Sequence, residues 1–415
     1  MRNPSPPPLT KEEKEVIEAD YIGETLFSKR FVLSMLVKLY KLEADIYKVE
    51  ENDSEKDDSN DASCEVLSDP FEHDICELWD MTANADVARF LYDNDGMDII
   101  FRVLEKTSSP RLMEITFGIL GNMTCIDKIC VSFSSNEVLR KAFLNYFSIK
   151  DALSLVELTR CLITCLSNQD CTSLWLEDIT EHFEALKYIL RNSLEGVLVD
   201  HAVTIIDIVF DANEDIIETY CDRDFLNVLK ESYGVLFSER KGDTISNLVH
   251  VFQLVSTSNK GVIELTEDIS IAEFLCQSMY DHRKGWYVID NQTQYYSSIY
   301  SVLNSVLSVL PEKTLDLIED NTLVVEVLIK ELLRKTSLDF LKEDVYIPVY
   351  LDFFKDLTYN FTSKKFKEIL KQFVDSKKDI SEICNNVRSS SEAPKEWTDI
   401  VDSIETILKT CDVIS

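Results

Sequence analysis

Breakers are what this chain has least of. Nine glycines and nine prolines serve 415 residues, and Pro4, Pro6, Pro7 and Pro8 all fall within the first eight. A glycine share of about 7% is usual for a globular chain. The scarcity here reads as helices joined by short loops. Strand signals are essentially absent, since no run alternates apolar and polar residues between Asn-Gly or Asp-Gly turns. Histidine is sparse as well: His73, His182, His201, His250 and His282 are scattered. The eleven cysteines contain no CxxC pair, and neither Cys125 with Cys130 nor Cys161 with Cys165 has histidines at a matching spacing. No zinc site, no other metal and no cofactor is expected. Free thiols buried as small apolar fillers, Cys125, Cys130, Cys161, Cys165 and Cys221 among them, fit a reducing compartment better.

Basic residues are also in short supply, 42 against 75 acidic ones, which leaves a net charge of −33. Phosphate backbones and anionic headgroups attract Lys/Arg faces, so nucleic acid and membrane surfaces are excluded as expected partners. Basic protein partners are permitted, although the same charge also serves to keep a long apolar chain in solution. No stretch of about 18 uncharged apolar residues is present, and the Met-Arg-Asn-Pro-Ser-Pro-Pro-Pro start is not built like a secretory leader. An intracellular protein is the expectation. Phosphate-cradling glycine loops, GxSxG, HExxH and EF-hand patterns are missing. The paired carboxylates Glu12-Glu13 and Asp57-Asp58 sit in runs expected to be solvated. No catalytic residue is assigned, and the chain is expected not to be an enzyme.

What is present is a period. Seven times an apolar helical stretch closes on a small polar residue: Met81-Thr82, Met123-Thr124, Leu166-Ser167, Phe210-Asp211, Val255-Ser256, Leu307-Ser308 and Leu357-Thr358. The intervals between closures are 42, 43, 44, 45, 52 and 50 residues. A period of about 40–47 residues in a helical chain marks armadillo or HEAT repeats, none of which buries its apolar face alone. The fold class expected is all-α, an armadillo/HEAT-like right-handed superhelical solenoid with helical caps.

The chain divides accordingly. Residues 1–9 are a proline-rich tail. Residues 10–48 are an N-terminal helical cap, with Thr10 and Glu13 spaced as a capping box. Residues 49–68 are an acidic linker, residues 69–380 hold about seven repeats, and residues 381–415 end in a capping helix from Trp397. Order is expected to resume at Asp69 as an N-cap, with Pro70 and Glu72 behind it. Ser5-Pro6 and Ser54, three residues before Asp57, are weak phosphorylation signals. Gly118 and Gly121 lie inside a core helix, where small residues let neighbouring elements approach closely.

Two patches carry the composition of a protein interface. One joins Trp79 and Asp80 with Asn122 on successive repeats. The other joins Arg283, Lys284, Trp286 and Tyr287 with Tyr295 and Tyr296, mixing aromatics with clustered basic residues. Ordinary packing between repeats is the competing account of both. An asparagine ladder of the kind that reads extended basic peptides in transport adaptors is not seen. The register of Asn122 falls on Asp80, Cys165, Val209, Leu254, Val306 and Asp356, and the four tryptophans share no common position.

Several blocks resemble the serum amyloid A-like protein family, a set of intracellular armadillo-like proteins that are not apolipoproteins. They are RNPSPPP at 2–8, YIGETLFSK at 21–29, ICELWDMTANADVARFL at 75–91, PRLMEITFGILGNMTC at 110–125 and ICVSFSS at 129–135. LTRCLITCLS at 158–167 and HVFQLVSTSNKG at 250–261 follow more loosely. The resemblance is densest over the first 170 or so residues. It implies a helical-repeat protein without catalytic activity, placed in the nucleus, that promotes cell proliferation; the cytoplasm is a second expected location. Residues and resemblance together lead to a monomeric protein-interaction scaffold; the alternative is a chaperone-like or transport-type adaptor for basic protein cargo.

Overall fold

The structure, a computed structural model, describes residues 10–52, 67–337, 345–361, 363–370, 376–390 and 393–410. The proline-rich tail, most of the acidic segment, and Ser5 and Ser54 lie outside the described residues. Among the described residues the one β pairing is an antiparallel bridge between Tyr21 and Ser28; the rest of the regular structure is helix.

Two helices lead, α1 (Lys11–Ala19) and α2 (Lys29–Asn52), so the first residues of the stretch expected as linker are helical. Triplets follow: α3 (Asp69–Thr82), α4 (Ala85–Asp93) and α5 (Gly96–Lys106); α6 (Pro110–Thr124), α7 (Asp127–Ser135) and α8 (Glu137–Leu144); α9 (Ala152–Leu166), α10 (Thr172–Thr180) and α11 (Phe183–Asn192). Next come α12 (Gly196–Ala212), α13 (Glu214–Tyr220) and α14 (Arg223–Ser238); α15 (Gly242–Val255), α16 (Asn259–Thr266) and α17 (Ser270–Arg283). The last are α18 (Gln292–Val309), α19 (Pro311–Asp320) and α20 (Leu323–Thr336); α21 (Ile347–Asn360), α22 (Ser363–Leu370) and α23 (Ser376–Ser389); and α24 (Lys395–Thr410).

The first helix of every triplet ends within two residues of one of the seven closures. The hydroxyls explain why those positions are small and polar. Thr82 donates to the Trp79 carbonyl at 2.6 Å, Thr124 to Gly121 at 3.0 Å, Ser256 to Gln253 at 2.6 Å, Ser308 to Ser305 at 2.7 Å and Thr358 to Lys355 at 2.8 Å. Those of Thr82, Thr124 and Ser256 reach carbonyls among the last four of their helices, which lack an intrahelical partner, and those of Ser308 and Thr358 bond back within the closing turns. Polar caps set the other ends: Ser109 accepts from the Leu112 amide with Pro110 as first helical residue, and Asp151 accepts from Ser154 at 2.8 Å. Asp69 does not serve as a cap. It is already helical, and Ser68 takes the flanking position.

Two compact units divide the chain, residues 1–185 and 186–415. In the first, α3, α6 and α9 stack in turn and α2 packs on α5. Its core is aromatic hydrocarbon: Phe133 meets Phe143 and Trp175 edge-on at centroid distances of 5.5 and 5.4 Å. In the second, α12, α15, α18, α21 and α24 stack in turn, with α17, α20 and α23 as a parallel series. Its largest buried side chains include Tyr295, Tyr296, Tyr300 and Tyr350. Burial of the thiols holds for Cys130, Cys161, Cys165, Cys171, Cys221, Cys276 and Cys384. Cys125 is the exception: it follows the last residue of α6 and is exposed.

Candidate functional site

The helices that open the triplets carry apolar residues into the stack and leave a half-buried polar strip on the other side. In the first unit that strip is occupied by the chain itself. Trp79 lies across Gly118, where any Cβ would run into the indole ring. Arg160 lies across Gly121 in the same way, donates to the Gly118 carbonyl at 3.0 Å and pairs with Glu157 at 2.7 Å. The two glycines therefore serve close approach, by side chains of α3 and α9. Asn122 donates through Nδ2 to the Trp79 carbonyl at 3.2 Å and to Thr82 Oγ1 at 3.1 Å. It is a clasp between α6 and the end of α3. Asp80 is exposed beside this seam.

The second expected patch separates into two layers. Tyr287 is only 3% exposed. Its hydroxyl donates to the Ser278 carbonyl at 2.7 Å and meets Tyr295 at 3.2 Å, while Ser278 reaches Tyr295 at 2.7 Å. Nearby, His282 Nδ1 bonds the Tyr296 hydroxyl at 2.9 Å, and burial holds that imidazole below its ordinary value. Tyr296 is pushed up to about 12, mainly by burial. Tyr287 is thus corrected from surface residue to internal anchor of the 284–291 connection. The outer layer keeps Arg283, Lys284 and Trp286; the indole is 54% exposed, and the Lys284 ammonium lies 5.1 Å from the Tyr280 ring centroid.

Sequence reasoning missed the third feature. Between α15, α18 and α21 the strip of the second unit opens into a notch of about 410 Å³. Gln253, Ser256, Thr257, Ser301, Asn304, Ser305, Ser308, Val349, Asp352 and Asp356 line it. The Asn304 Oδ1 is buried and receives no hydrogen bond. A signal was available: these polar residues interrupt otherwise apolar helices at spacings of three and four. The ladder test landed on Val306, two residues beyond Asn304. One helix earlier, His250 Nδ1 bonds Asp207 at 2.7 Å. Burial pulls that imidazole down, but the Asp207 hydrogen bond and charge outweigh it and hold the group above its ordinary value. Among the described residues no group of three or more His, Cys, Asp or Glu side chains could hold a metal ion, and no single helix is long and apolar enough to cross a membrane.

Comparison with known proteins bears on fold and family. A family model described as the SAAL1 C-terminal domain matches residues 183–409. The zebrafish (Danio rerio) protein saal1 is 33% identical over 300 residues, 66% of this chain and 62% of that protein. Human (Homo sapiens) SAAL1 is 36% identical over 219 residues, 51% of this chain and 45% of that protein. The chain thus spans about three fifths of the zebrafish relative and under half of the human one. Among solved structures, the crystal complex of SYS-1 and POP-1 is similar at a TM-score of 0.60 and 10% identity, covering 90% of this chain and 63% of that one. A structure concerned with a phosphorylation switch between cadherin and β-catenin follows at 0.51 and 12%, covering 84% and 74%. At such identities the likeness shows the fold alone, and the fold is an all-α armadillo-like solenoid. The family reading needs correcting. The serum amyloid A-like grouping was drawn mainly from blocks in the first 170 or so residues, with one looser block at 250–261, whereas the family model that matches is that of the SAAL1 C-terminal domain, over residues 183–409.

Proposed function

We infer a function from one premise: the chain belongs to the SAAL1 family, whose C-terminal domain model covers more than half of its length. The protein is a non-enzymatic scaffold that holds a protein partner against the polar strips of its stacked helices. The observation that carries this is the polar notch between α15, α18 and α21, on a fold shared with SYS-1, solved in a complex with POP-1, and with a structure concerned with the interaction between cadherin and β-catenin. Crosslinking mass spectrometry on the protein in its own cells tests it. Crosslinks from lysines beside the strip, such as Lys355, to a recurrent second protein support the reading. Crosslinks to other proteins that fall only outside the strips overturn it.

A second reading, an adaptor for basic cargo, is favoured by the net charge of −33 and by the acidic lining of the notch. Salt separates the two. Cargo held by net charge loses most of its affinity between low and physiological ionic strength, while a partner seated by close hydrogen bonds in the strips loses much less. Residence in the nucleus and promotion of proliferation complete the proposal at the level of the cell. Imaging of the tagged chain and growth after its depletion test those two statements.

A further inference from the structure

We propose that the notch between α15, α18 and α21 seats an arginine side chain presented by an extended segment of a protein partner. The proposal rests on the scaffold reading and names the chemistry of one contact within it.

The lining is rich in acceptors, and its remaining donors are the Ser301 hydroxyl and the amide N–H groups of Gln253 and Asn304. A hydroxyl has one hydrogen to give, and here most are already given. Ser256 donates to the Gln253 carbonyl at 2.6 Å, Thr257 to Leu254 at 2.7 Å, Ser305 to Ser301 at 3.1 Å and Ser308 to Ser305 at 2.7 Å. What these four groups have left to offer is lone pairs. Asp352 and Asp356 add two carboxylates from positions four apart, which share a helix face. The cation beside Asp352 is Lys355 of its own helix at 3.6 Å, with both side chains well exposed; among the described residues Asp356 has no ion pair. Asn304 lines the notch too, with its Oδ1 enclosed and, among the described residues, without a hydrogen-bond partner. No lysine or arginine lines the notch.

Such a lining repels anions and leaves a neutral guest with unmatched acceptors. It calls for a positive charge carrying several N–H groups and no acceptor. Arginine supplies five donors in a planar fork, lysine three on a compact head. Two carboxylates and four hydroxyl lone-pair sets outnumber what lysine can serve. The volume of about 410 Å³ admits a guanidinium with its stem, and pockets of about 300–1,000 Å³ are usual for small guests.

The test is a fluorescence-anisotropy titration of the full chain at near-physiological salt. Three Gly/Ser-spaced peptides are compared, carrying arginine, lysine or citrulline; citrulline keeps the shape of arginine and loses its charge. The arginine peptide is expected to bind at least about tenfold more tightly than the citrulline peptide, and severalfold more tightly than the lysine one. Asp352→Asn with Asp356→Asn is expected to cost the arginine peptide about tenfold. Glu231→Gln with Glu273→Gln makes the same charge change outside the notch lining and is expected to leave affinity nearly unchanged. Equal losses in the two double variants would reduce the effect to general acidity and overturn the proposal. Equal affinity for citrulline or for lysine would overturn it as well. Should the notch double variant fail to fold, Asn304→Asp still decides: an added carboxylate tightens the arginine peptide, and unchanged affinity refutes the seat. In-cell crosslinks to a partner that persist without arginine binding would sink this inference while leaving the scaffold reading standing.

Discussion

Helices in the same place of the repeat carry opposite kinds of polar strip in the two units. In the first unit long side chains from one helix reach the backbone of the last: Arg160 bonds the Gly118 carbonyl and Asn122 the Trp79 carbonyl. In the second, Ser305 and Ser308 of α18 turn their hydroxyls back onto their own helix, while Ser298 donates across to Gln253 on α15. Direction decides the outcome: a donor aimed across closes the seam, as Ser298 does towards Gln253, whereas a hydroxyl turned back onto its own helix leaves its lone pairs free. The cores differ in parallel. Phenylalanine and tryptophan rings fill the first unit, while buried tyrosines of the second, such as Tyr287 and Tyr295, bring hydroxyls that must be bonded internally.

The largest effect that sharpens the contrast is expected at the buried ion pair of the first unit. Arg140 Nε and Asp178 Oδ2 are 2.8 Å apart with both side chains at least nine-tenths buried, and Arg140 also donates to the Ser134 carbonyl. Asp178→Ala leaves a buried guanidinium unpaired and is expected to cost about 3–5 kcal/mol. Urea unfolding followed by Trp175, which packs against Phe133 and Phe143, reads this unit directly. Close behind comes Leu120→Ala. Leu120 is fully buried in α6, between α3 and α9, and the cavity is expected to cost about 2–5 kcal/mol. Faster hydrogen exchange should then spread to the α3 and α9 amides. Loosening confined to α6 would argue that its interfaces are not shared.

A matched pair of asparagines puts the comparison itself at risk. Asn122→Ala strands the Trp79–Thr82 end of α3 and is expected to lower stability by about 1–3 kcal/mol. Asn304→Ala removes an amide oxygen that has no donor, so stability is expected to hold or rise by up to about 1 kcal/mol. Equal losses at the two positions would mean that the second strip is as closed as the first.

Much of this architecture was legible because it depends on local periodicity. Apolar spacing and closing hydroxyls are properties of neighbouring residues, and the seven closures fall at the ends of α3, α6, α9, α12, α15, α18 and α21. The sites were less legible because each rests on partners that local periodicity does not announce, 43 residues away for Asn122 and eight or nine for Tyr287. Nothing beside Asn122 in the chain announces the Trp79 carbonyl, 43 residues earlier. Tyr287 was grouped with Trp286 by composition, yet one ring is anchored inside and the other faces out, a choice made by Ser278 and Tyr295. The notch was hidden for the opposite reason: its residues are ordinary serines and aspartates, and only the stacking of three helices brings their acceptors together.

The smallest expected effect is a pH dependence confined to the second unit. His250 on α15 faces Asp207 and, more distantly, Asp211, both on α12. Burial disfavours the imidazolium, but the 2.7 Å bond to Asp207 more than compensates, so the folded-state value stands above the ordinary 6.5. A group whose value is raised on folding binds its proton more tightly in the native state. Its contribution is therefore complete below about pH 6.5, the unfolded value, and disappears as pH rises through the higher folded value. Stability of the second unit should fall over that interval. Asp207→Asn removes the charge that raises His250 and leaves the desolvation, so the slope should vanish or reverse sign. Urea titrations at paired pH values, read by hydrogen exchange at α12 and α15, measure it. An unchanged slope in Asp207→Asn would assign the pH response to another group and leave the α12–α15 seam neutral.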